Sequence, residues 1–232
     1  MGKYEGAPGY QLGLYEKSMP NSLGIREKLY TAHRCGYDHL ELSIDESEEK
    51  LARLDWSPGQ IHQVREAVEQ TGVPIRSICL SGHRAYPLGH PDAAVRARSL
   101  EIMEKTIRLA EKLGVRLIQL AGYDVYYEAG SEITRANFER SLRTCVEMAS
   151  QSGVMLAFET MELDFMNTVG KAMKWVSRLE SPYLQVYPDA GNITNAALAG
   201  GFSVLDDLEQ GRGHLAAIHL KESLPGIYRE VP

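Results

Sequence analysis

The sequence predicts an α/β protein, and within that class a (β/α)₈ barrel, from three observations. Short apolar segments alternate with longer amphipathic ones throughout the 232 residues, and this strand–helix alternation is typical of a parallel sheet. Polar residues cluster where the apolar segments end, which is where barrels of this class build their active sites. No G-x-G-x-x-G motif follows the first predicted strand, which weakens the alternative of an open, nucleotide-binding sheet.

The first part of the chain contains three predicted strands, over residues 11–15, 38–44 and 74–80. A helix is expected over 25–35, closed by a glycine. A second helix is expected from Pro58 to about Gln70, because Ser57-Pro58 combines an N-cap residue with proline at the first helical position. The polar sequence Ser81-Gly-His-Arg84 follows the third strand.

The second part of the chain contains four more predicted strands, over 115–121, 154–158 and 183–187 and from near His214. Helices are expected over 92–113, 134–152, 168–179 and 203–210. Asp92 is a typical N-cap for the longest of them, and Gly114 a typical terminator. The unbroken apolar run from Val154 to Phe158 indicates a strand that is buried on both faces. We therefore predict seven strands in a single domain.

Composition narrows the possible functions. The chain is 44% apolar and 24% charged, as in ordinary globular proteins, and no apolar run approaches the roughly 20 residues that cross a bilayer. Its three cysteines are far apart, which favours reduced thiols and a cytoplasmic location. The net charge of −6 and the lack of a basic cluster argue against nucleic acid as a partner, but leave a small phosphorylated ligand open.

Three of the later strands end in residues that can bind a metal. Glu159 follows the apolar run at Val154, Asp189 follows the next strand, and His219 follows the last. A carboxylate at the end of a buried strand is costly unless it is paired or binds a metal. Each residue alone could equally be a satisfied core group, but their shared position predicts a divalent-metal site. Mixed nitrogen and oxygen ligands suit Zn²⁺ or Mn²⁺ better than Mg²⁺.

Five stretches of the sequence resemble a known family, the sugar-phosphate 3-epimerases that act on L-ribulose 5-phosphate and L-xylulose 5-phosphate. This family belongs to the xylose-isomerase-like TIM-barrel superfamily, and the similarity extends over essentially the whole chain. The most specific stretch is Gln119 to Tyr127. The matching stretches are Leu12-Gly-Leu-Tyr-Glu-Lys, Ile102-Met-Glu-Lys-Thr-Ile, Ile118-Gln-Leu-Ala-Gly-Tyr-Asp-Val-Tyr-Tyr, Tyr187-Pro-Asp-Ala-Gly-Asn and His219-Leu-Lys.

The resemblance implies that Glu159, Asp189 and His219 are metal ligands and that Glu159 is also a catalytic base. The family's fourth ligand, a second glutamate, comes from an eighth strand, which the sequence to Pro232 does not reach. We therefore expect a C-terminally incomplete barrel, with a gap between the first and seventh strands that further sequence would fill. We also expect a homodimer.

Four further residues are candidates for substrate binding: His83, Gln119, Glu162 and Lys221. Each has an equally ordinary structural alternative, namely a core contact, a solvated surface residue or a neighbour of the metal ligands. The expected substrate is a small phosphorylated ketopentose, epimerised at C3 through an enediolate that the metal stabilises. The alternatives are an aldose–ketose isomerase, a non-catalytic truncated barrel and a DNA-repair endonuclease of the same superfamily, the last disfavoured by the acidic charge.

Overall fold

The computed structural model describes residues 9–228. Its helices are Ile25–Arg34 (α1), Glu48–Leu51 (α2), Pro58–Thr71 (α3), Ala93–Leu113 (α4), Glu132–Gln151 (α5), Val169–Leu179 (α6), Ala190–Gly200 (α7) and Val204–Glu209 (α8). Its strands are Gly13–Tyr15 (β1), His39–Ile44 (β2), Ile75–Leu80 (β3), Leu117–Ala121 (β4), Met155–Glu159 (β5) and Leu184–Tyr187 (β6). Three short 3₁₀ turns cover Glu16–Ser18, Ala52–Asp55 and Gly82–Arg84.

The six strands form one parallel sheet in the order in which they occur along the chain. The sheet is strongly curved, and a contact between two distant strands shows this. The Tyr187 hydroxyl on β6 donates a hydrogen bond of 3.0 Å to Glu41 on β2. Four strand spacings would separate these strands by roughly 19 Å in a flat sheet. The curvature and the parallel order confirm the predicted barrel architecture over this part of the chain.

The helix boundaries follow the capping signals in the sequence. Ser57 accepts a hydrogen bond from the Gln60 backbone N–H at the start of α3, and Asp92 accepts one from Ala94 at the start of α4. Gly114 ends α4 in the left-handed conformation, with φ of 73°, which a residue without Cβ adopts at little cost. These starts and stops confirm the predicted limits of both helices.

The strands carry different chemistry on their two faces. On β2, Leu40, Leu42 and Ile44 are fully buried in the main hydrophobic core, whereas Glu41 and Ser43 between them are buried polar residues. Successive side chains of a strand point to opposite faces, so the apolar set packs against the helices and the polar set lines the barrel interior. The sheet thereby concentrates polar groups inside the curve.

The prediction of a seventh strand from near His214 is wrong, because the segment there does not pair continuously with the sheet. The segment 214–219 runs beside β6 but forms only two isolated parallel bridges, Val186 with Leu215 and Asp189 with His219. Leu215 and Ile218 are each about two-fifths exposed, at 42% and 41%, so they lack the burial on both faces that stabilises a parallel strand. The segment nevertheless brings His219 alongside β6.

A helix also forms between the strand predicted over 183–187 and the helix predicted over 203–210, where no element was expected. Helix α7 begins directly after Asp189, although Gly191 lies in its first turn and Gly200 in its last. A Cβ on Gly191 would lie 2.8 Å from the Lys221 side chain, so the glycine permits a close approach rather than marking a turn. The helix was missed in the sequence analysis because glycine is unfavourable inside helices, and the contact that explains Gly191 joins residues 30 positions apart.

Two composition-based expectations can be compared with the fold. None of the helices between residues 9 and 228 combines the length and apolar character that a membrane span requires. Cys35, Cys79 and Cys145 are all free thiols, the first exposed and the other two buried. The predictions of a single domain spanning 1–232 and of a gap filled by further sequence include residues outside the described range and stay predictions.

Candidate functional site

Three potential metal ligands converge where the strands end. Glu159 is the last residue of β5, Asp189 precedes α7, and His219 closes the segment beside β6. One ligand atom from each lies within 4.8 Å of the other two. Residues separated by as many as 60 positions in the sequence are therefore brought to one point, as their shared position at strand ends predicted.

His219 lies between carboxylates on both sides of its ring. Its Nδ1 is 3.2 Å from Glu159 Oε1 and 4.0 Å from Asp189 Oδ2, while its Nε2 is 2.6 Å from Glu41 Oε1. Burial alone would lower the pKa of His219, but the charges and hydrogen bonds of Glu41 and Glu159 raise it well above its ordinary value. The carboxylates of this site thus favour a positive charge on or beside His219.

Asp189 holds the start of α7 as well as facing the site. Its Oδ1 accepts a hydrogen bond of 2.8 Å from the Asn192 backbone N–H, and its Oδ2 lies 3.3 Å from Lys221 Nζ. Burial and the nearby Glu159 charge raise the pKa of Asp189, although Lys221 works against this rise. A bound cation would relieve the repulsion between the two carboxylates.

Glu41 is a functional candidate that the sequence analysis missed. The residue is 3% exposed, and its carboxylate contacts His219 at 2.6 Å, Ser77 at 2.5 Å and Tyr187 at 3.0 Å. Burial would raise the pKa of Glu41, but His219 and the two hydroxyl donors hold it below its ordinary value. The sequence does contain a signal for it, namely a carboxylate between Leu40 and Leu42 in a predicted strand. Burying an unpaired carboxylate is costly, and the same argument identified Glu159.

A cavity of about 820 Å³ opens over this group. It is large enough for a small ligand, since ligand pockets typically span about 300–1,000 Å³. Carboxylates and cations both line it, so it can accommodate a polar molecule with a negatively charged group. Its charged lining comprises Lys17, Arg84, Glu159, Glu162, Asp189, His219, Lys221 and Glu222.

Three of the four predicted substrate-binding residues lie at or beside this cavity. Glu162 and Lys221 line it, and Lys221 also donates a hydrogen bond of 2.7 Å to the Asn192 side chain. Gln119 is almost fully buried, with Nε2 at 3.1 Å from His219 Nδ1. Glu162 accepts a hydrogen bond of 2.6 Å from the Tyr126 hydroxyl. Their contact with substrate stays a prediction.

His83, the fourth, is not among the residues that line the cavity. The residue is 1% exposed, and its Nε2 lies 3.1 Å from the Ser99 carbonyl oxygen of α4. Burial lowers the pKa of His83 to about 4, so the ring is neutral at physiological pH. This geometry favours the structural alternative for His83. The adjacent residue, Arg84, lines the cavity instead. Arg84 was not identified as a candidate in the sequence analysis.

The tyrosine-rich loop after β4 packs against itself. The rings of Tyr123 and Tyr126 are 5.0 Å apart, and those of Tyr126 and Tyr127 are 4.9 Å apart. The Arg84 guanidinium lies 4.8 Å from the Tyr126 ring centroid, so this loop also supports the cavity wall. The expected homodimer stays a prediction.

The donor set of the site fits a divalent cation. One imidazole nitrogen and two carboxylate oxygens match the ligands that Zn²⁺ and Mn²⁺ accept. Three carboxylates, those of Glu41, Glu159 and Asp189, surround a single imidazole. That excess of negative charge in a mostly buried site is costly without a cation, so Glu159, Asp189 and His219 could hold a metal.

Comparisons with known proteins agree with this architecture. The family model described as xylose isomerase-like TIM barrel matches residues 29–232. SgbU of Escherichia coli strain K12 is 48% identical over 229 residues, covering 96% of this chain and 79% of SgbU. L-ribulose-5-phosphate 3-epimerase UlaE of Escherichia coli O139:H28 is 45% identical over 221 residues, covering 95% of this chain and 76% of UlaE.

Solved structures of sugar epimerases share the fold. D-psicose 3-epimerase of Clostridium cellulolyticum H10, crystallised with D-tagatose, superposes with a TM-score of 0.79 at 17% identity, covering 92% of this chain and 73% of that one. A structure of L-ribulose 3-epimerase gives a TM-score of 0.74 at 18% identity, covering 91% and 70%. At such low identity these likenesses show the barrel and no more.

Proposed function

Because the chain belongs to the xylose isomerase-like TIM-barrel family, we propose that it is a metal-dependent ketose-phosphate 3-epimerase. The proposed reaction interconverts L-ribulose 5-phosphate and L-xylulose 5-phosphate through an enediolate. The observation that carries the proposal is the convergence of Glu159, Asp189 and His219 within 4.8 Å beneath a cavity of suitable size. The similarity to UlaE supports the choice of substrate.

Epimerisation at C3 of a 2-ketose begins with removal of the proton beside the carbonyl. Glu159 is the proposed base, since its carboxylate lines the cavity and its side chain is 14% exposed. A divalent metal held by Glu159, Asp189 and His219 would supply a Lewis acid for the charge that develops on the substrate oxygens. The Lys221 ammonium, 3.3 Å from Asp189, adds a further positive charge at this end of the cavity.

Inversion requires that a proton return to the opposite face of C3. The family resemblance assigns this step to a second glutamate beyond the described residues, so the proposal places only one of the two acid/base groups in this part of the chain. Among residues that line the cavity, Glu162 lies three positions after Glu159 and is held by the Tyr126 hydroxyl at 2.6 Å. We assign Glu162 to substrate binding, in keeping with its partly exposed position.

The substrate phosphate would be bound by Arg84. Two other cations line the cavity but already contact carboxylates: Lys17 lies 2.7 Å from Asp45, and Lys221 lies 3.3 Å from Asp189. Arg84 has no such ion pair within residues 9–228, and its buried Nε atom has no hydrogen-bond partner there. Stacking on Tyr126 holds the guanidinium in place, which suits it to an anion.

The test of the reaction is NMR spectroscopy of L-ribulose 5-phosphate incubated with the full chain in deuterated buffer. We expect L-xylulose 5-phosphate labelled at C3, loss of activity in a chelator, and recovery with Zn²⁺ or Mn²⁺. Formation of an aldose phosphate would instead identify the isomerase alternative. If neither product forms with any divalent metal, the proposed function is wrong for this chain.

The test of the phosphate assignment is the substitution Arg84→Gln. Loss of a charged hydrogen-bond donor should raise KM for L-ribulose 5-phosphate by about 10- to 100-fold, with a smaller effect on kcat. Any activity toward unphosphorylated L-ribulose should change little. An equal loss for both sugars would show that Arg84 supports the loop and does not read the phosphate.

A further inference from the structure

We propose that Glu41 is a positioning residue that sets which nitrogen of His219 faces the metal. The inference rests on the proposed metal site and adds a residue to it. A neutral imidazole has one N–H donor and one nitrogen lone pair, so a histidine ligates well only if its other nitrogen keeps the proton. Glu41 supplies an acceptor for that proton.

The geometry assigns the two nitrogens different roles. His219 Nε2 lies 2.6 Å from Glu41 Oε1, a short contact that suits an N–H donor facing a carboxylate. His219 Nδ1 lies on the side of the other two ligands, 3.2 Å from Glu159 and 4.0 Å from Asp189. With the Nε2 proton held by Glu41, the Nδ1 lone pair would be available to ligate a cation at the shared site, and any proton on Nδ1 would be released to solvent.

Glu41 itself is held rigidly enough to do this. Its second oxygen accepts hydrogen bonds from the Ser77 hydroxyl at 2.5 Å and the Tyr187 hydroxyl at 3.0 Å. These donors come from β3, which pairs with β2, and from β6, four strands away in the curved sheet, so two different strands fix the carboxylate. The His219 ring is also packed against Tyr187, with ring centroids 4.7 Å apart.

A purely structural role is the alternative. The Glu41–His219 contact could simply hold the segment 214–219 against the sheet. That role predicts that a Glu41 variant changes stability without changing metal affinity beyond what unfolding explains. The positioning role predicts weaker metal binding by protein that remains folded, and a changed tautomer of His219.

The experiment is a titration of the metal-free full chain with Zn²⁺, using a competing chromophoric chelator to measure Kd. Removing an outer carboxylate partner of a ligating histidine typically weakens metal binding by about 10- to 100-fold, and we expect this for Glu41→Gln. Long-range ¹⁵N–¹H correlation spectra of the Zn²⁺-loaded protein should show His219 protonated at Nε2 in the wild type, and both tautomers in the variant.

Ser77→Ala is the matched control, because it removes one hydrogen bond to Glu41 while leaving the carboxylate and its contact with His219. Its Kd for Zn²⁺ should change by less than that of Glu41→Gln. If Glu41→Gln does not fold, the double variant Ser77→Ala/Tyr187→Phe, which frees the Glu41 carboxylate without removing it, should weaken Zn²⁺ binding more than Ser77→Ala does.

The outcomes separate this inference from the proposed function. If the wild type binds no Zn²⁺ or Mn²⁺, the metal site itself is wrong. If the wild type binds Zn²⁺ and Glu41→Gln binds it within about threefold, well below the expected loss, with the tautomer unchanged, Glu41 does not position His219 and the metal site stands. For a Glu41→Gln protein that does not fold, unchanged affinity in the double variant overturns the inference in the same way.

Discussion

Two buried groups of charges lie at the same end of the sheet and have opposite compositions. In the Glu16 cluster, one carboxylate is surrounded by three cations: Lys28 at 3.2 Å, Lys50 at 3.4 Å, and Arg53 in direct contact. In the His219 cluster, one imidazole is surrounded by the carboxylates of Glu41, Glu159 and Asp189. Each cluster has three charges of one sign around a single opposite charge.

The clusters differ in access to solvent. Glu16 and Lys28 have no exposed side-chain surface, and Glu16 accepts a further hydrogen bond of 2.6 Å from the Ser43 backbone N–H. The His219 cluster opens into the cavity through Glu159, Asp189 and His219. A closed cluster must be satisfied by the chain itself, whereas an open cluster can recruit an ion. We therefore interpret the first as structural and the second as functional.

The largest expected effect separates the clusters by activity. Glu159→Gln should lower the rate of C3 proton exchange with deuterated solvent by at least about 100-fold, because it removes the proposed base. The fold should survive, since the change also removes one of three crowded negative charges. Glu162→Gln, a matched change in the same cavity, should lower the rate by less. Substantial exchange by Glu159→Gln would show that another group is the base.

The converse experiment concerns stability. Glu16→Gln leaves three buried cations around a neutral amide, and breaking a buried ion pair in this way typically costs about 3–5 kcal/mol. The free energy of unfolding in urea should fall by that order. Glu104→Gln, at an exposed site on α4, is the control and should change stability by less than about 0.5 kcal/mol. If Glu16→Gln and Glu104→Gln change the free energy of unfolding equally, the Glu16 cluster does not stabilise the fold and its interpretation as structural is wrong.

The Glu16 cluster should also make the stability of the protein fall at acid pH. Burial would raise the pKa of Glu16, but Arg53, the Ser43 N–H and Lys50 hold it below its ordinary value of 4.5. Because the folded-state pKa is the lower one, this contribution to stability is complete above about pH 4.5 and is lost as the pH falls through the folded-state pKa. Urea titrations between neutral and acid pH should show the loss, and Glu16→Gln should show less of it.

The smallest effect is expected from removing one of the excess cations. Burial, and repulsion from Arg53 and Lys28, lower the pKa of Lys50 despite the attraction of Glu16. Lys50→Met should therefore be nearly neutral or slightly stabilising, within about 1 kcal/mol. Thermal and urea unfolding measure this change. A loss as large as that of Glu16→Gln would mean that all three cations are required, and that their mutual repulsion is unimportant.

The sequence was most informative where a local rule decides the structure. The limits of α3 and α4 follow from Ser57-Pro58, Asp92 and Gly114, each of which acts within one turn of helix. The convergence of Glu159, Asp189 and His219 was also predictable, because the ends of parallel strands meet at one edge of a sheet. Alternation of strands and helices was sufficient to indicate the barrel.

The sequence was least informative where distant residues decide a local feature. Glu41 and Arg84 were missed because their importance depends on what lies opposite them, His219 for the first and an open cavity for the second. Helix α7 was not predicted, because the glycine in its first turn, Gly191, is explained by its close approach to Lys221. In each case the deciding contact joins residues far apart in the chain, and no single-sequence pattern records it.

The two oxygens of Asp189 serve different structures, and this limits how the site could be redesigned for another ion. One oxygen starts helix α7 through Asn192, and the other faces Glu159 and His219. Replacement by alanine would remove a proposed ligand and also cost about 1 kcal/mol of helix capping, so weaker metal binding would be confounded with a loss of fold. Asparagine has a single side-chain oxygen, so when that oxygen keeps the cap, an NH₂ group that cannot ligate a metal faces the site. It therefore tests the proposed ligand role of Asp189 apart from the fold, and a variant meant to bind another ion should keep the carboxylate.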